Sequence, residues 1–209
     1  MAKTHDPDNP EHYFTREPKS RLKTTDVAFS FRNHSLSFLC ASGVFSSTEI
    51  DPATQLLLEA TEIQPNTNIL DLGCGIGVIG ISIKKAEPTC NVTLSDVNKR
   101  ALKVSRQNAE KNKVTVDVLE SDCYAAFAEK EKKEFDLIIT NPPHHAGREL
   151  VYKMITEALP HLKRGGFFQL VAKHKKGGKM LQKKMEEVFG NAEIILRGSG
   201  LCVYRSKKK

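Results

Sequence analysis

The sequence predicts an α/β fold with a doubly wound, mostly parallel sheet whose two faces are covered by helices. Strand-like and helix-like segments alternate at regular spacing from residue 68 to residue 190. Residues 68–83 read NILDLGCGIGVIGISI, which indicates a short buried strand, a glycine-rich turn and an apolar helix. Two strand-like segments, at residues 192–196 and 201–205, end the chain with no helix between them, which predicts one antiparallel strand.

The other elements of the core, residues 51–209, follow from local signals. Asp51 followed by Pro52 is a strong helix start, because an N-cap acid accepts a free backbone N–H and proline fits the first helical position. Apolar runs and alternating valines mark the strands, and apolar residues at helical spacing mark the helices. The predicted strands lie at residues 92–94, 114–118, 135–139 and 167–172, and the predicted helices at 51–62, 98–111, 149–162 and 179–189, with a short helical turn at 124–128.

An N-terminal extension, residues 1–50, precedes this core. Residues 1–20 hold three of the nine prolines and are expected to be irregular. Two alternating segments then flank a possible turn at residues 32–34, which predicts a β-hairpin. Their apolar residues are Val27, Phe29, Phe31, Leu36, Phe38 and Cys40. The whole chain, residues 1–209, is expected to form a single domain, since its length is ordinary for this fold class.

The composition is that of a globular protein, with 39% hydrophobic and 27% charged residues. No apolar run approaches the roughly 20 residues of a membrane helix, and the N-terminus lacks the apolar segment of a signal peptide. The cysteines are odd in number and contain no C-x-x-C pair, which predicts reduced thiols in a cytoplasmic protein without a disulfide framework or a zinc site. They stand at positions 40, 74, 90, 123 and 202.

The charge is divided unevenly along the chain. Residues 1–150 carry 18 basic and 21 acidic residues, whereas residues 151–209 carry 14 and 4. This imbalance predicts that the basic C-terminal third binds a polyanionic partner, most simply RNA or DNA. The alternative is a solvated helix face with a disordered tail.

The glycines after residue 72 allow two interpretations. Gly75, Gly77 and Gly80 fit the dinucleotide fingerprint, which on its own is a weak signal. The longer pattern Asp71-x-Gly73-x-Gly75-x-Gly77 resembles the first motif of S-adenosylmethionine (SAM) methyltransferases. Asp71 would repel a pyrophosphate, which disfavours the dinucleotide. The resemblance implies that the turn, with Cys74, faces the methionine half of SAM and that Asp71 holds its amino group.

Three polar positions follow later strands, at the sheet edge where open α/β sheets bind ligands. A carboxylate at Asp96, next to Val97, can accept hydrogen bonds from both ribose hydroxyls of an adenosyl group, in SAM or in NAD. Asp122 can accept from the adenine amine, with Cys123 or Tyr124 against the ring. A helix N-cap is the alternative for Asp122. The third position is Asn141.

Asn141-Pro142-Pro143-His144 resembles the fourth motif of methyltransferases that modify planar nitrogens. The target amine must become pyramidal to attack a methyl group. The Asn141 side-chain oxygen and the Pro142 carbonyl can accept its two N–H groups and favour that geometry. Asn141 is also expected to border the cofactor. His144 departs from the usual aromatic residue, and a plain Asn-Pro-Pro turn is the alternative. No metal role is expected for the histidines here.

The order of hairpin, Gly43-Val44-Phe45-Ser46, helix, glycine motif and NPPHHAG resembles the methyltransferase small domain family over residues 12–205. The resemblance implies a Rossmann-like class I fold with a seven-stranded sheet, and places Phe45 at the SAM pocket. It implies methylation of an exocyclic amine of RNA, foremost guanine N2 of ribosomal RNA. The alternatives are protein glutamine-N5 methylation, DNA amine methylation, a non-catalytic RNA-binding factor and, more remotely, a dehydrogenase. No membrane partner is expected.

Overall fold

The computed structural model describes residues 24–41, 49–127, 133–143 and 147–209. The segment expected to be irregular, residues 1–20, lies outside these ranges, as do two of the predicted site residues, Phe45 and His144.

The predicted N-terminal hairpin is confirmed. Strands β1 (Thr24–Phe31) and β2 (His34–Ala41) pair antiparallel, with Phe31 opposite His34. The two residues between them, Arg32 and Asn33, have φ angles of 44° and 65°. Two positive φ angles are what a two-residue type I′ turn requires, and such a turn matches the twist of the strands it joins.

The main sheet has seven strands, of which all but one run parallel. They are β3 (Asn68–Leu72), β4 (Asn91–Asp96), β5 (Asp117–Glu120), β6 (Phe135–Thr140), β7 (Leu162–Lys173), β8 (Glu193–Gly198) and β9 (Leu201–Lys207). Their order across the sheet is β5-β4-β3-β6-β7-β9-β8, and β9 is antiparallel to both of its neighbours. The chain moves outward from β3 to β5 and returns to β6, so the doubly wound topology has its switch point between β3 and β6.

Helices cover both faces of this sheet, as predicted. They are α1 (Pro52–Glu59), α2 (Val78–Ala86), α3 (Lys99–Lys111), α4 (Arg148–Thr156) and α5 (Lys179–Phe189). Alternate strand residues point to opposite faces. Ile69 and Ile139 therefore pack with the hairpin and helices α1 to α3, whereas Leu70 and Ile138 pack with α4 and α5. None of the helices in the described part of the chain is both long and apolar enough to cross a membrane.

The third predicted strand starts later than expected. Lys113 has a φ of 55°, and the Val114 N–H donates to the Ala109 carbonyl while the Lys113 N–H donates to Glu110. These bonds form a Schellman motif, which satisfies the last carbonyls of a helix. Val114 therefore belongs to the capping motif that follows α3, and the strand is limited to Asp117–Glu120.

The helix predicted at residues 149–162 is shorter, and the strand after it is longer. Pro160 cannot continue an α-helix because it lacks an N–H and its ring clashes with the preceding turn. α4 ends at Thr156, and β7 already begins at Leu162, which pairs with Phe135. Gly166 lies inside the strand at an irregularity, where a Cβ would stand 3.0 Å from the Phe135 carbonyl oxygen.

Asn108 on α3 and Asn112, one turn later at the C-cap of this helix, dock the hairpin on the core. The Asn108 amide accepts from the Leu39 N–H at 2.7 Å and donates to the Leu39 carbonyl at 3.1 Å. Asn112 makes the same pair of bonds with Ser37, at 3.0 and 2.9 Å. The amides thus bond the free edge of β2 as a further strand would. Asn108 also donates to the Ile76 carbonyl, at 3.0 Å.

We expect Asn108→Ala to lower the free energy of unfolding by about 3 kcal/mol, because it leaves the Leu39 N–H and the Ile76 carbonyl without this partner. Urea denaturation measures the change. Gln107→Ala, on the exposed side of the same helix, is the control and is expected to stay within about 0.5 kcal/mol of the native protein. Equal losses in the two variants would contradict the docking role.

Candidate functional site

A cavity opens at the carboxyl ends of β3 to β6, beside the switch point where open α/β sheets bind ligands. Predicted site residues that line it are Gly73, Cys74, Gly75, Asp96, Val97, Asp122, Cys123, Asn141 and Pro143. Sequence reasoning missed other lining residues, namely Thr54, Leu72, Ile76, Val78, Ile79, Ser121, Leu150 and Met154. Three other predicted site residues in the described part of the chain do not line the cavity, namely Asp71, Gly77 and Pro142.

The first turn after β3 presents its backbone to the cavity. Gly73 and Gly75 have φ angles of 71° and 55°, which residues with a side chain rarely adopt. The N–H groups of Gly73 and Cys74 both donate to the Ser95 carbonyl, at 2.8 and 2.9 Å, and so tie the turn to β4. A Cβ on Gly75 would meet no atom within 4 Å, so its absence leaves room beside the cavity for a ligand.

Gly77 has a packing role instead. It is the N-cap of α2, with a φ of 86°. A Cβ there would stand 2.9 Å from Ile81 and 3.1 Å from Leu94. A Cβ on Gly80, about one turn further, would stand closer still, at 2.2 Å from Leu94. The second half of the glycine motif thus brings α2 onto the sheet, and the contact of Gly77 with the ligand stays a prediction.

Asp71 is a fully buried carboxyl that holds the helix after the turn. Its Oδ2 accepts the Gly80 N–H at 2.9 Å, and its Oδ1 has no partner among the described residues. Burial raises the pKa of Asp71 to about 7, the Gly80 bond opposes this rise, and nearby Asp96 adds to it. Since Asp71 is not on the cavity wall, its contact with an amino group of the ligand stays a prediction.

Asp96, which ends β4, is fixed by the same turn and does line the cavity. Its Oδ2 accepts the Gly75 N–H and its Oδ1 accepts the Asn98 N–H, both at 2.8 Å. Burial raises the pKa of Asp96, and the hydrogen bonds from Asn98, Gly75 and Val97 oppose the rise. The carboxylate is thus held at the cavity with acceptor capacity to spare. Its predicted bond to ribose remains a prediction.

The Asp122 side chain does not cap the short helical turn that follows it, which was its alternative role. Ser121 takes that place, because its hydroxyl accepts the Ala126 N–H at 3.1 Å and donates to the Cys123 carbonyl at 2.7 Å. The Asp122 side chain is 65% exposed and accepts from Lys153 Nζ at 3.1 Å. Asp122 is therefore available at the cavity rim.

Cys123 lines the cavity, and burial raises the pKa of its thiol to about 12, so it is an apolar wall rather than a nucleophile. The neighbouring Tyr124 points away. Its hydroxyl donates to the Met154 carbonyl at 2.8 Å, and its ring stacks on His161 at a centroid distance of 4.7 Å. All five cysteines of the chain are buried and free.

Asn141, directly after β6, has a fixed side chain with one unused acceptor. Its Nδ2 donates to Asp51 Oδ2 at 2.8 Å and to Thr54 Oγ1 at 3.0 Å. Because a carboxylate can only accept, the NH₂ group must face Asp51. The carbonyl oxygen is then the other side-chain atom, and it is buried without a partner among the described residues.

Asp51 has two roles in this arrangement. Its Oδ1 accepts the Ala53 N–H at 3.0 Å and so caps α1, as predicted, while its Oδ2 receives Asn141. Thr54, Leu150 and Met154 reach the cavity from α1 and α4, which lie far from the glycine motif in sequence. Local patterns cannot reveal such contacts. The Asp-Pro helix start placed α1, but nothing in the sequence tied it to Asn141.

The Asp71→Asn variant isolates the effect of the raised pKa. Between about pH 4 and pH 7 native Asp71 holds a proton that the unfolded chain releases, so its contribution to stability falls as pH rises through this range. About three pKa units correspond to roughly 4 kcal/mol. We expect the stability of Asp71→Asn relative to the native protein to rise by up to that amount from pH 4 to pH 8.

Urea denaturation at several pH values measures this difference. Glu149→Gln, which removes an exposed carboxyl group at the start of α4, is the control. A constant difference between Asp71→Asn and the native protein would show that Asp71 is charged throughout.

Comparisons with known proteins place this geometry in a family. A family model for the methyltransferase small domain matches residues 35–205. The uncharacterized protein YbxB of Bacillus subtilis is 33% identical over 201 residues, which cover 95% of this chain and 98% of that protein. Ribosomal RNA small subunit methyltransferase C of Haemophilus influenzae is 39% identical over 168 residues, which cover 77% of this chain and 50% of that protein.

Solved structures agree. The 16S rRNA N2 methyltransferase RsmC of T. thermophilus, in complex with AdoMet and guanosine, has a TM-score of 0.79 at 25% identity and covers 92% of this chain and 52% of its own. A methyltransferase from Pyrococcus furiosus, at 21% identity and a TM-score of 0.63, shares the fold. The chain spans about half the length of the ribosomal RNA methyltransferases named here. Because the family model spans most of its residues, this protein belongs to the methyltransferase small domain family.

Proposed function

We propose that this protein is a SAM-dependent N-methyltransferase that acts on an exocyclic amine of RNA, specifically N2 of a guanine in ribosomal RNA. The observation that carries the proposal is the Asn141 carbonyl oxygen. It is buried, held in one orientation and without a partner among the described residues, beside the cavity at the glycine turn. An unpaired buried acceptor is costly unless a ligand completes it.

The cofactor is S-adenosylmethionine. When bound, it supplies an electrophilic methyl group on a sulfonium sulfur. The residues present fit it, because Gly75 leaves space at the turn and Asp96 is a fixed acceptor at the end of β4. We assign the methionine half to residues 73–75, the ribose hydroxyls to Asp96, and the adenine to Asp122 and Cys123.

Asn141 and Pro142 act on the amine that accepts the methyl group. In a planar exocyclic amine the nitrogen lone pair is delocalised into the ring. Two acceptors for its N–H groups, the Asn141 Oδ1 and the Pro142 carbonyl, favour the pyramidal geometry in which the lone pair is free to attack. Asp51 and Thr54 fix the first acceptor in advance, and the prolines restrict the backbone that carries the second.

No strong general base is required in this scheme. The nitrogen becomes acidic once it is methylated and loses its extra proton afterwards. The carboxyl groups of Asp71 and Asp96 are both engaged by backbone N–H groups, which suits them to hold the turn.

Guanine in ribosomal RNA is the acceptor that the relatives favour. The T. thermophilus relative is in complex with guanosine, and the H. influenzae relative is a ribosomal RNA methyltransferase. The basic residues of 151–209 favour RNA over a protein acceptor. We also propose that Phe45 borders the cofactor and that His144 stacks on the target base.

Labelled methyl transfer tests the acceptor. Purified protein is incubated with labelled SAM and unmodified ribosomal RNA, with transfer RNA, DNA and protein extract in parallel, and the labelled product is digested. We expect the label in N2-methylguanosine. Label in methylglutamine or in a DNA base would show that protein or DNA, rather than RNA, is the acceptor. No label in any arm, assembled ribosomal subunits included, would leave a non-catalytic RNA-binding protein as the better account.

Two variants test the role of Asn141. Asn141→Ala removes the acceptor and is expected to lower kcat by about 10²–10³-fold. Thr54→Val keeps the shape but removes one bond that orients the amide, so we expect a fall in kcat of roughly 5- to 10-fold with the KM for SAM nearly unchanged. The exposed Thr156→Val is the matched control. A rise in KM at constant kcat would place Thr54 in cofactor binding instead.

A further inference from the structure

The basic residues of 151–209 are divided between the two ends of the sheet. β7 begins near Lys163 and Arg164 and ends at Lys173. Because β7 is parallel to β6, its end lies at the same edge as Asn141, whereas its start lies at the opposite edge. β8 likewise ends at this edge, next to Arg197. A net charge alone cannot distinguish these two groups of cations.

At the opposite edge the cations have local partners. Lys163 pairs with Asp136 at 2.8 Å, and Arg205 lies 2.8 Å from Glu193 and 3.8 Å from Glu62. Lys208 donates to the Leu162 carbonyl at 2.5 Å. The charge at this edge is thus partly neutralised within the protein.

At the carboxyl edge four exposed cations surround a concave surface, which we call the basic cleft. It consists of Lys173, Lys175, Lys176 and Arg197 together with the loop at residues 198–200. No carboxylate in the described part of the chain forms an ion pair with any of these four side chains. The sequence has no acidic residue at positions 173–185 or 194–209. Among the described residues, the positive charge of the cleft is therefore not compensated by an ion pair.

The lysines stand on a turn with defined bonds. After β7 the chain makes one wide turn, His174–Gly178, in which Gly177 has a φ of 103°. The His174 N–H donates to the Gly200 carbonyl at 3.0 Å, and His174 Nδ1 lies 2.8 Å from the Tyr204 hydroxyl. A Cβ on Gly178 would stand 2.5 Å from that hydroxyl. The cleft is therefore built on a fixed backbone.

The cleft is near enough to Asn141 to contact the same ligand. Strands β7, β9 and β8 lie one, two and three positions from β6 in the sheet. With neighbouring strands about 4.8 Å apart, the cleft spans roughly 5–15 Å from the end of β6. A nucleic-acid strand in a helix rises about 3.4 Å per phosphate along its axis, so this span corresponds to a few nucleotides next to the target.

We propose that the basic cleft binds the RNA backbone beside the target nucleotide and so holds the acceptor strand across the carboxyl edge of the sheet. The proposal rests on the proposed function, because it takes RNA as the substrate. Lysine and arginine contacts to phosphates give affinity without reading the sequence. Selection of the target amine would then depend on the Asn141 site.

His174 reports on the same surface. Partial burial lowers the pKa of its imidazole, and the positive charges of Arg197, Lys179 and Lys175 lower it further. The Tyr204 hydroxyl is its hydrogen-bond partner. A polyanion in the cleft would offset these charges, so the pKa of His174 is expected to rise when RNA binds.

The test compares two double variants with equal charge change. Lys175→Gln/Lys176→Gln alters the cleft, and Arg164→Gln/Lys207→Gln removes two exposed cations from the opposite edge. Binding of a fluorescent single-stranded RNA oligonucleotide is measured by anisotropy at several salt concentrations. For the cleft variant we expect weaker binding and a salt slope reduced by about 0.7 per lost phosphate contact, and for the control variant nearly native behaviour.

Thermal unfolding and equilibrium dialysis with SAM check that both variants keep their fold and cofactor site, as we expect for exposed side chains. Equal RNA affinity in the two variants, or a His174 pKa that RNA leaves unchanged in an NMR titration, would overturn the basic cleft and leave the proposed function standing. If the native protein binds RNA through the cleft but methylates no RNA, the proposed function fails and the cleft remains.

Discussion

The carboxylate of Asp51 connects the start of α1 with Asn141 in the candidate site. One oxygen caps α1, and the other accepts the amide of Asn141, which lies 90 residues later in the chain. A carboxylate can only accept hydrogen bonds, so it settles which atom of the Asn141 amide bonds to Asp51 and which is left without a partner among the described residues. The acceptor that we propose for the substrate amine is therefore oriented by a helix terminus rather than by the Asn-Pro-Pro turn alone. The start of α1 is part of the site although no chemistry occurs there.

The glycine turn depends on two further carboxyl groups in a comparable way. Asp71 and Asp96 lie next to each other in space, on β3 and at the end of β4, and each accepts one N–H from the turn or the helix after it. Burial raises the pKa of both, and the proximity of Asp96 raises that of Asp71 further. A fully buried acid beside a partly buried one is unfavourable for folding, and hydrogen bonds from the glycine backbone offset that cost only in part. Their retention at this turn fits a ligand that carries positive charge, which SAM does at its amino group and its sulfonium.

Local sequence signals predicted much of the fold and part of the site. Strand and helix alternation, the hairpin turn and the final antiparallel strand were all visible, because each depends on residues close together in the chain. The predicted start of β5 was wrong because Lys113, which is not a glycine, forms the helix cap. The predicted start of β7 was wrong because the pairing of Leu162 with Phe135 is a long-range contact. At the site, acids after strands were found because parallel strands end at one edge. Thr54 and Met154 were missed because they reach the cavity through helix packing. Sequence spacing also could not separate a glycine beside open space, Gly75, from one that is packed against Ile81 and Leu94, Gly77.

The parallel sheet explains why the candidate site and the basic cleft lie side by side. Strand ends that carry polar side chains converge at the carboxyl edge, and this holds for β7 and β8 as much as for β3 to β6. The first group of strands supplies acceptors, Asp96 and Asn141, and the second supplies cations, Lys173 and Arg197. The opposite edge also carries cations, but it pairs Lys163 and Arg205 with carboxylates. Because the opposite edge is partly neutralised, the RNA partner that we propose would be attracted mainly to the carboxyl edge, where Asn141 lies. The sheet topology thus determines which of the excess cations of residues 151–209 lie at the same edge as Asn141.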